Sequence, residues 1–388
     1  MRPSLSSAPM ALLSRQRGPI ALYGATGYTG RLTAAELRAA GVEFVLSGRN
    51  RGKLESLAAE LGGEIPVRAA ALDDPGALRS LLGDCAAVID CAGPFIRFGE
   101  PVLSAAVETG THYLDTTGEQ PYIRLALDNY GPRAAEAGVA VVPAMGFDYV
   151  PGDMIAALTA EGMGEVDEVL LAYSVAGFGA TRGTMLSALE MVKGGDVEWR
   201  KLQWLPADQS VGRGSFDFGE PIGKQRMVRY PAGEQVTVPR HVSTRRVRTA
   251  ISAASLVPPK LAPAMPLLTR PAGIAMRTPL KRLAGTMISR LPEGPSDGER
   301  AAARFTIVCE VTRGQTVRRG VIRGSDVYGL TAASVAQGAI AAARGAVRGG
   351  GGLAPSQAFE PKAFLRELSR FDLDWRVAGA GEHAMAGA

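Results

Sequence analysis

From Pro19 to about Val150, short apolar runs of strand length alternate with segments in which apolar residues recur every three or four positions. That alternation predicts a parallel sheet wrapped by helices. The expected strands cover residues 20–23, 43–47, 67–72, 87–91, 112–116 and 139–143. The expected helices run over 28–40, 52–61, 75–82, 102–108 and 123–137. Gly41 closes the first where a positive φ is needed, and Asp73, Asp74 and Pro75 supply cap and first-turn chemistry for the third. Six such strands complete a doubly wound Rossmann sheet.

After Pro151 the period changes. Longer alternating strands are expected at 168–175, 225–230 and in a hairpin of 303–313 with 317–323, turning at Arg313-Gly314. Helices over 181–193 and 331–344 complete a second, α+β domain whose sheet is mostly antiparallel. Gly349 to Gly352 reads as a mobile loop, 361–371 as a last helix, and 378–388 as a disordered tail. The expected organisation is a flexible arm (1–17), the Rossmann domain (18–150), the α+β domain (151–346) and the C-terminal loop, helix and tail (347–388). No internal repeat is visible.

Composition narrows the class. Hydrophobic residues make up 46% of the 388 and charged residues 21%, the balance of a globular chain with a sizeable core. The net charge of +5 is misleading as a global property, because residues 235–292 hold ten Lys or Arg and no Asp or Glu. The rest of the chain is mildly acidic, which argues against a nucleic-acid-binding body. Cys85, Cys91 and Cys309 lack CxxC spacing and the three histidines (112, 241, 383) cannot form HExxH, so no metal site and no disulfide framework is expected. With no apolar run of spanning length, a cytoplasmic protein is expected, with peripheral membrane contact left open.

The densest chemistry lies at the ends of the expected strands. Gly24-Ala25-Thr26-Gly27-Tyr28-Thr29-Gly30 follows a strand and opens a helix, where glycines let the backbone approach a pyrophosphate and free N–H groups stabilise its charge. The second strand ends in Ser47-Gly48-Arg49-Asn50. Arg49 stands where an NAD-binding chain carries an acid, and with Ser47, Asn50 and Lys53 it favours a 2′-phosphate, hence NADPH. Cys91-Ala92-Gly93-Pro94 is expected to line the cofactor by its backbone.

Two further edges carry Tyr113, Thr117 and Glu119, and Phe147, Asp148 and Tyr149, all expected to face the reactive end of the cofactor. Asp115 and Asp148 have helix capping as an equal alternative. In the second domain Arg182 and Thr184 open a helix and form the expected substrate clamp, with a plain cap by Thr181 as the alternative. None of the seven lysines follows a tyrosine at the Tyr-x-x-x-Lys spacing, which excludes the short-chain dehydrogenase mechanism.

The motifs GATGYTG, SGRN, CAGPF, HYLDTTGE, GFDYVPGD and TRGTMLSALE together resemble the saccharopine dehydrogenase-like oxidoreductases. Within that group the chain is most similar to the branch containing trans-acting enoyl reductases, clearly over 18–200 and more loosely over 303–344. The resemblance implies NADPH held on Gly24, Gly27, Gly30 and Arg49, and a site between two domains. It leaves the reaction open. One Arg182 beside Phe178, Met185 and Leu186 suits an apolar acyl chain better than a dicarboxylic amino acid. The leading expectation is reduction of an α,β-unsaturated acyl thioester in polyketide or lipid biosynthesis, with Tyr149, Tyr113 and Thr117 as candidate enolate donors. The alternatives are reduction of an imine or ketone on an amino acid or natural-product intermediate, and a nucleotide-binding scaffold or redox sensor without turnover.

The acid-free stretch contains one more pattern. Thr278-Pro279 starts a segment with Leu280, Leu283, Met287, Ile288 and Leu291 at helical spacing and Arg277, Lys281, Arg282 and Arg290 beside them. A helix packed on its own domain is one reading. The other is a docking surface over 240–291 for an acidic acyl carrier protein or an anionic membrane. A homodimer is compatible with the sequence.

Overall fold

The computed structural model describes residues 17–177, 179–191, 197–207, 214–256, 287–288 and 293–378. Its first layer is an all-parallel sheet of β1 (Ile20–Tyr23), β2 (Phe44–Gly48), β3 (Val67–Ala69), β4 (Ala87–Asp90), β5 (His112–Asp115) and β6 (Ala140–Val142), in the order β6-β5-β4-β1-β2-β3. β1 lies between β2 and β4, so the switch in strand order falls beside the Gly-rich turn. That is where an open parallel sheet leaves a crevice.

The helices follow the predicted periods. They are α1 (Tyr28–Ala39), α2 (Arg51–Leu61), α3 (Pro75–Leu82) and α4 (Glu100–Thr109). Asn50 Oδ1 accepts from Lys53 N and Asp74 Oδ1 from Ala77 N, so both helix starts are capped by side chains of the preceding residue. The helix expected over 123–137 is broken into Gln120–Arg124, a wide π turn at Leu125–Tyr130, and Gly131–Glu136. Pro132 lacks an N–H to continue the ladder, and a Cβ at Gly131 would lie 3.0 Å from Gly352 N.

That contact explains a correction at the C-terminus. The Gly-rich stretch expected as a loop supplies a seventh parallel strand, paired as Gly351↔Ala140 and Gly352↔Val141. Glycines are needed because the strand runs against the helix backbone, where a Cβ at Gly352 would be 2.7 Å from Leu127 O.

A helix not expected from the sequence, α5 (Val150–Ala160), leads into the second sheet. The strands of that sheet are β7 (Glu168–Ala176), β8 (Ser215–Asp217), β9 (Lys224–Arg229), β10 (Val247–Ser252), β11 (Arg304–Arg313), β12 (Thr316–Ser325) and β13 (Asp374–Ala378), arranged β8-β9-β10-β7-β11-β12-β13. All pairs are antiparallel except β10 with β7. A separate hairpin pairs Val197–Arg200 with Gln203–Pro206. The helix after Thr181 is α6 (Arg182–Met191).

The helix expected over 331–344 starts four residues earlier, as α7 (Val327–Ala343), because Asp326 caps it through Gly329 N. α7 packs on α1 and on the β4 and β5 face of the first sheet. Its small residues permit that approach: a Cβ at Gly338 would meet Leu114 Cδ2 at 2.9 Å. Apolar on all sides, it is buried between the layers and fuses the two units through one shared core. The last expected helix divides into Pro361–Glu367 and a tight turn at Ser369–Phe371. The amphipathic segment 278–291, apart from Met287 and Ile288, and the tail 379–388 lie outside the described residues.

Candidate active site

A cleft of about 890 Å³ runs between the C-terminal edge of the parallel sheet and the second sheet. One end is built by the first βα turn. Gly24 holds φ +75°, and a Cβ there would come within 2.9 Å of Ala92 N, so the turn sits against the end of β4. Gly30 lies below this turn, outside the lining; a Cβ on it would collide with Gly24 O at 2.3 Å. Gly24, Thr26, Gly27, Tyr28 and Thr29 line the cleft, while Ala25 is fully buried beneath it.

At the end of β2, Gly48, Arg49, Asn50 and Lys53 reach the cleft. Ser47 does not. Its hydroxyl points into the sheet and donates to Arg68 O at 2.7 Å, which removes it from the expected phosphate donors. Cys91, Ala92, Gly93 and Pro94 line the middle. Burial pushes the Cys91 thiol up to about 12, so it serves as a small wall residue and not as a thiolate.

The donor set fits a dinucleotide carrying a 2′-phosphate. A helix start free of side-chain caps faces the cleft at Gly27, and a guanidinium and an ammonium stand at the β2 end.

The other end is apolar with a polar floor. Phe147, Val175, Met185, Leu186 and Ile251 line it, together with Asp148, Tyr149, Tyr173 and Tyr230. Asp148 is half-buried. Its Oδ1 lies 3.4 Å from Tyr230 OH, and its main-chain oxygen accepts from Tyr173 OH at 3.0 Å. Burial raises its carboxyl to about 6, with the Tyr230 contact pulling the other way. Behind it, Tyr173 OH also lies against Glu234 Oε1, on a fully buried carboxyl held well above its ordinary value by desolvation. Burial and these neighbouring carboxyls push the phenols of Tyr149, Tyr173 and Tyr230 well above the usual range.

Several expected residues take other places. Tyr113 faces the far side of the sheet, fully buried, with its hydroxyl 2.9 Å from that of Tyr122 and 3.4 Å from Asp90. Strand alternation places it there: its neighbour Leu114 faces the other way, into the shared core. Thr117 is buried off the cleft, its Oγ1 accepting from Glu119 N at 3.1 Å. Thr116 and Gly118 on either side reach the lining instead. Tyr149 lines the cleft, yet its hydroxyl is committed to Gly118 O at 2.6 Å.

Glu119 acts as a bracket behind the wall. Its two oxygens accept from Phe95 N and Ile96 N, each at 2.8 Å, and Oε1 also accepts from Ser187 Oγ at 2.8 Å. One carboxylate thereby ties the turn after β4 to α6 of the second unit. Arg182 is paired with Glu293 through its side chain at 3.1 Å and its main-chain N at 3.0 Å. The expected substrate clamp is therefore a brace holding the segment at Glu293 over the cleft. Thr184 lines the cleft and its Oγ1 lies 2.8 Å from Thr181 Oγ1 and 3.2 Å from Tyr328 OH. Asp115 is no side-chain cap on the cleft: its Oδ1 accepts from Thr117 N and Ala144 N inside the sheet end.

Tyr173, Val175, Tyr230 and Ile251 escaped the sequence reading as site residues. The alternation of β7 puts Leu171, Tyr173 and Val175 on one face, but only sheet packing shows that this face meets the first domain. Among the described residues no cluster of His, Cys, Asp or Glu could hold a metal ion, and no helix is long and apolar enough to cross a membrane.

A Gly-rich crevice at the switch point of a parallel sheet, roofed by a second sheet, defines a doubly wound nucleotide-binding fold. Comparison with known proteins gives the particular kind. Residues 20–142 match the family described as the saccharopine dehydrogenase NADP binding domain, so this part of the chain is similar to an NADP-binding domain of that family. A trans-acting enoyl reductase of Mycobacterium leprae is 36% identical over 140 residues, covering 35% of this chain and 34% of that protein. The Mycobacterium tuberculosis (strain ATCC 25618 / H37Rv) trans-acting enoyl reductase is 35% identical over 140 residues, with the same coverage. A second protein from that strain, provisionally named for the same activity, is 33% identical over 183 residues, 45% of this chain and 44% of its own length. The matches thus span less than half of these relatives. Saccharopine dehydrogenase (L-Glu forming) from Saccharomyces cerevisiae shares the fold over 93% of this chain and all of its own, at a TM-score of 0.58 and 15% identity. The resemblance read from the motifs agrees with these matches.

Proposed function

We propose that the chain is an NADPH-dependent reductase acting on the C=C bond of an α,β-unsaturated acyl thioester. The observation that carries this reading is the two-ended cleft, with a phosphate-binding turn and Arg49 at one end and an apolar wall around Asp148 at the other. The relatives named for trans-acting enoyl reduction support it. NADPH supplies the hydride when bound; Gly24 to Thr29 and the α1 start would hold its pyrophosphate, and Arg49 with Lys53 its 2′-phosphate.

The protein's own part is positioning and exclusion. Phe147, Val175, Met185, Leu186 and Ile251 give the acyl chain an apolar bed and keep water from the reacting carbons. An amino-acid dicarboxylate is the weaker candidate substrate, because among the described residues Arg182, beside the apolar wall, is already paired with Glu293. A carrier-protein or synthase partner fits the trans-acting relatives and extends the proposal.

The test is NADPH oxidation followed against a crotonyl thioester, a cyclic imine, a 2-oxo acid and no acceptor. Turnover with the thioester alone is expected. Turnover with the imine or oxo acid alone would move the assignment to C=N or C=O reduction, and silence with all three would remove it.

A further inference from the structure

Reduction of a polarised double bond needs a proton as well as a hydride, and the groups first expected to supply it are unsuited. Tyr113 and Thr117 are off the cleft, Tyr149 is bonded to Gly118 O, and Cys91 is a neutral wall residue. Ser187 donates to Glu119, and the Thr181 and Thr184 hydroxyls are bonded to each other.

Asp148 is different in both place and partners. It is carried on the turn between β6 and α5, whose Phe147 N is pinned by Thr331 Oγ1 at 2.9 Å, so the turn is held from α7. Its main-chain oxygen is fixed by Tyr173, and Oδ1 is contacted by Tyr230. Oδ2 abuts the cleft wall, 3.7 Å from where a Cβ on Gly118 would sit. A half-buried carboxyl that lines the cleft, on a turn fixed through its main chain and with only Tyr230 against its side chain, is placed to touch a substrate.

We infer that Asp148 is the acid that protonates the substrate carbon left electron-rich by hydride addition, and that Tyr230 positions its carboxyl. The inference rests on the reductase reading above. A hydride supplied by NADPH forms the new bond at the β-carbon, the π pair moves onto the α-carbon and thioester oxygen, the Asp148 O–H breaks as the α C–H forms, and water later reprotonates the carboxylate. The groups facing Asp148 are Tyr149 beside it, Tyr173 and Glu234 from the second unit, Tyr230 at the end of β9, and Tyr328 on α7. The tyrosines are neutral across the working range, and burial, by raising the Asp148 carboxyl to about 6, keeps roughly a tenth of it protonated at pH 7 and about half at pH 6.

Three measurements on wild type, Asp148→Asn and Tyr230→Phe test this. First, difference infrared spectroscopy of the cofactor-free full chain should show a carboxyl titrating near 6 that Asp148→Asn lacks and Tyr230→Phe moves upward. Second, NADP⁺ binding by calorimetry should be unchanged within about threefold in Asp148→Asn, showing a folded site. Third, turnover with NADPH and a crotonyl thioester in D₂O should fall about 100-fold or more in Asp148→Asn. In that variant the α-deuterium should pass from one face to both, because bulk water protonates the enolate. In wild type kcat should fall as pH rises through the Asp148 value, and Tyr230→Phe should carry that limb to higher pH. An active wild type with Asp148→Asn keeping its rate within threefold and one-faced deuterium overturns the inference alone. An inactive wild type overturns the reductase reading and the inference with it. Should Asp148→Asn not fold, an unmoved pH limb in Tyr230→Phe overturns the inference.

Discussion

Replacing Glu119 by Ala tests the bracket between the two units. The carboxylate is buried and accepts from Phe95 N, Ile96 N and Ser187 Oγ. Hydrogen bonds to a charged group contribute roughly 1.5–3 kcal/mol each, and a buried donor left without an acceptor costs its desolvation in full. Phe95 N is wholly buried and bears that cost, whereas Ile96 N is partly open and water recovers some of it. Ser187 can turn its hydroxyl to solvent. The expected loss is about 2–5 kcal/mol, a large share of the roughly 5–15 kcal/mol typical of a folded domain. The perturbation should also loosen Gly93 to Phe98, all but Ile96 of which line the cleft, and weaken NADP⁺ binding. Glu119→Gln keeps one good acceptor and should lose about half as much, while Ser187→Ala should change stability little. Urea unfolding followed by far-UV circular dichroism and by tryptophan fluorescence measures the loss, with calorimetry for NADP⁺. An unchanged urea midpoint in Glu119→Ala would refute the reasoning, since it would mean that the Phe95 and Ile96 amides find other acceptors.

Arg49→Ala should weaken NADPH binding about 10-fold or more while leaving NADH within threefold, because Ser47 is committed to Arg68 O and Asn50 to the α2 start; equal loss for both cofactors by fluorescence titration would remove the 2′-phosphate role. Asp90 is buried at the end of β4 and desolvation raises its carboxyl to about 8, so it binds a proton in the fold that the unfolded chain releases near pH 4. Its contribution to stability is therefore complete below about pH 4 and lost as pH rises through about 8, at no more than about 1.4 kcal/mol per pH unit. Thermal melts from pH 5 to 9 should show this decline in wild type and a flatter profile in Asp90→Asn, and parallel profiles would disprove it.

Local patterns carried the first domain well. Apolar runs of four or five residues, each followed by a segment of helical period, placed β1, β2, β4 and β5 within a residue or two, because their faces are covered on both sides and nothing competes with the pattern. The nucleotide end of the site was legible for the same reason: the turn, Arg49, Asn50 and Lys53 are consecutive or nearly so, and their role follows from strand and helix alone. The substrate end was not. Asp148 was visible as a polar residue at a strand end, but its partners Tyr173 and Tyr230 lie 25 and 82 positions away. Arg182 read as a clamp until Glu293, 111 positions distant, took its guanidinium.

By itself the sequence determined a parallel dinucleotide fold, the preference for a 2′-phosphate and the existence of a second, antiparallel unit. These depend on period, on glycine at a tight turn and on the charge of one residue. Only the tertiary structure decided which tyrosines face the cleft, that Gly351 and Gly352 close the first sheet, that α7 joins the two units, and that Asp148 meets the apolar end of the cavity. Each of those is a contact between distant segments, and contact order, unlike period, leaves no trace in the neighbouring residues.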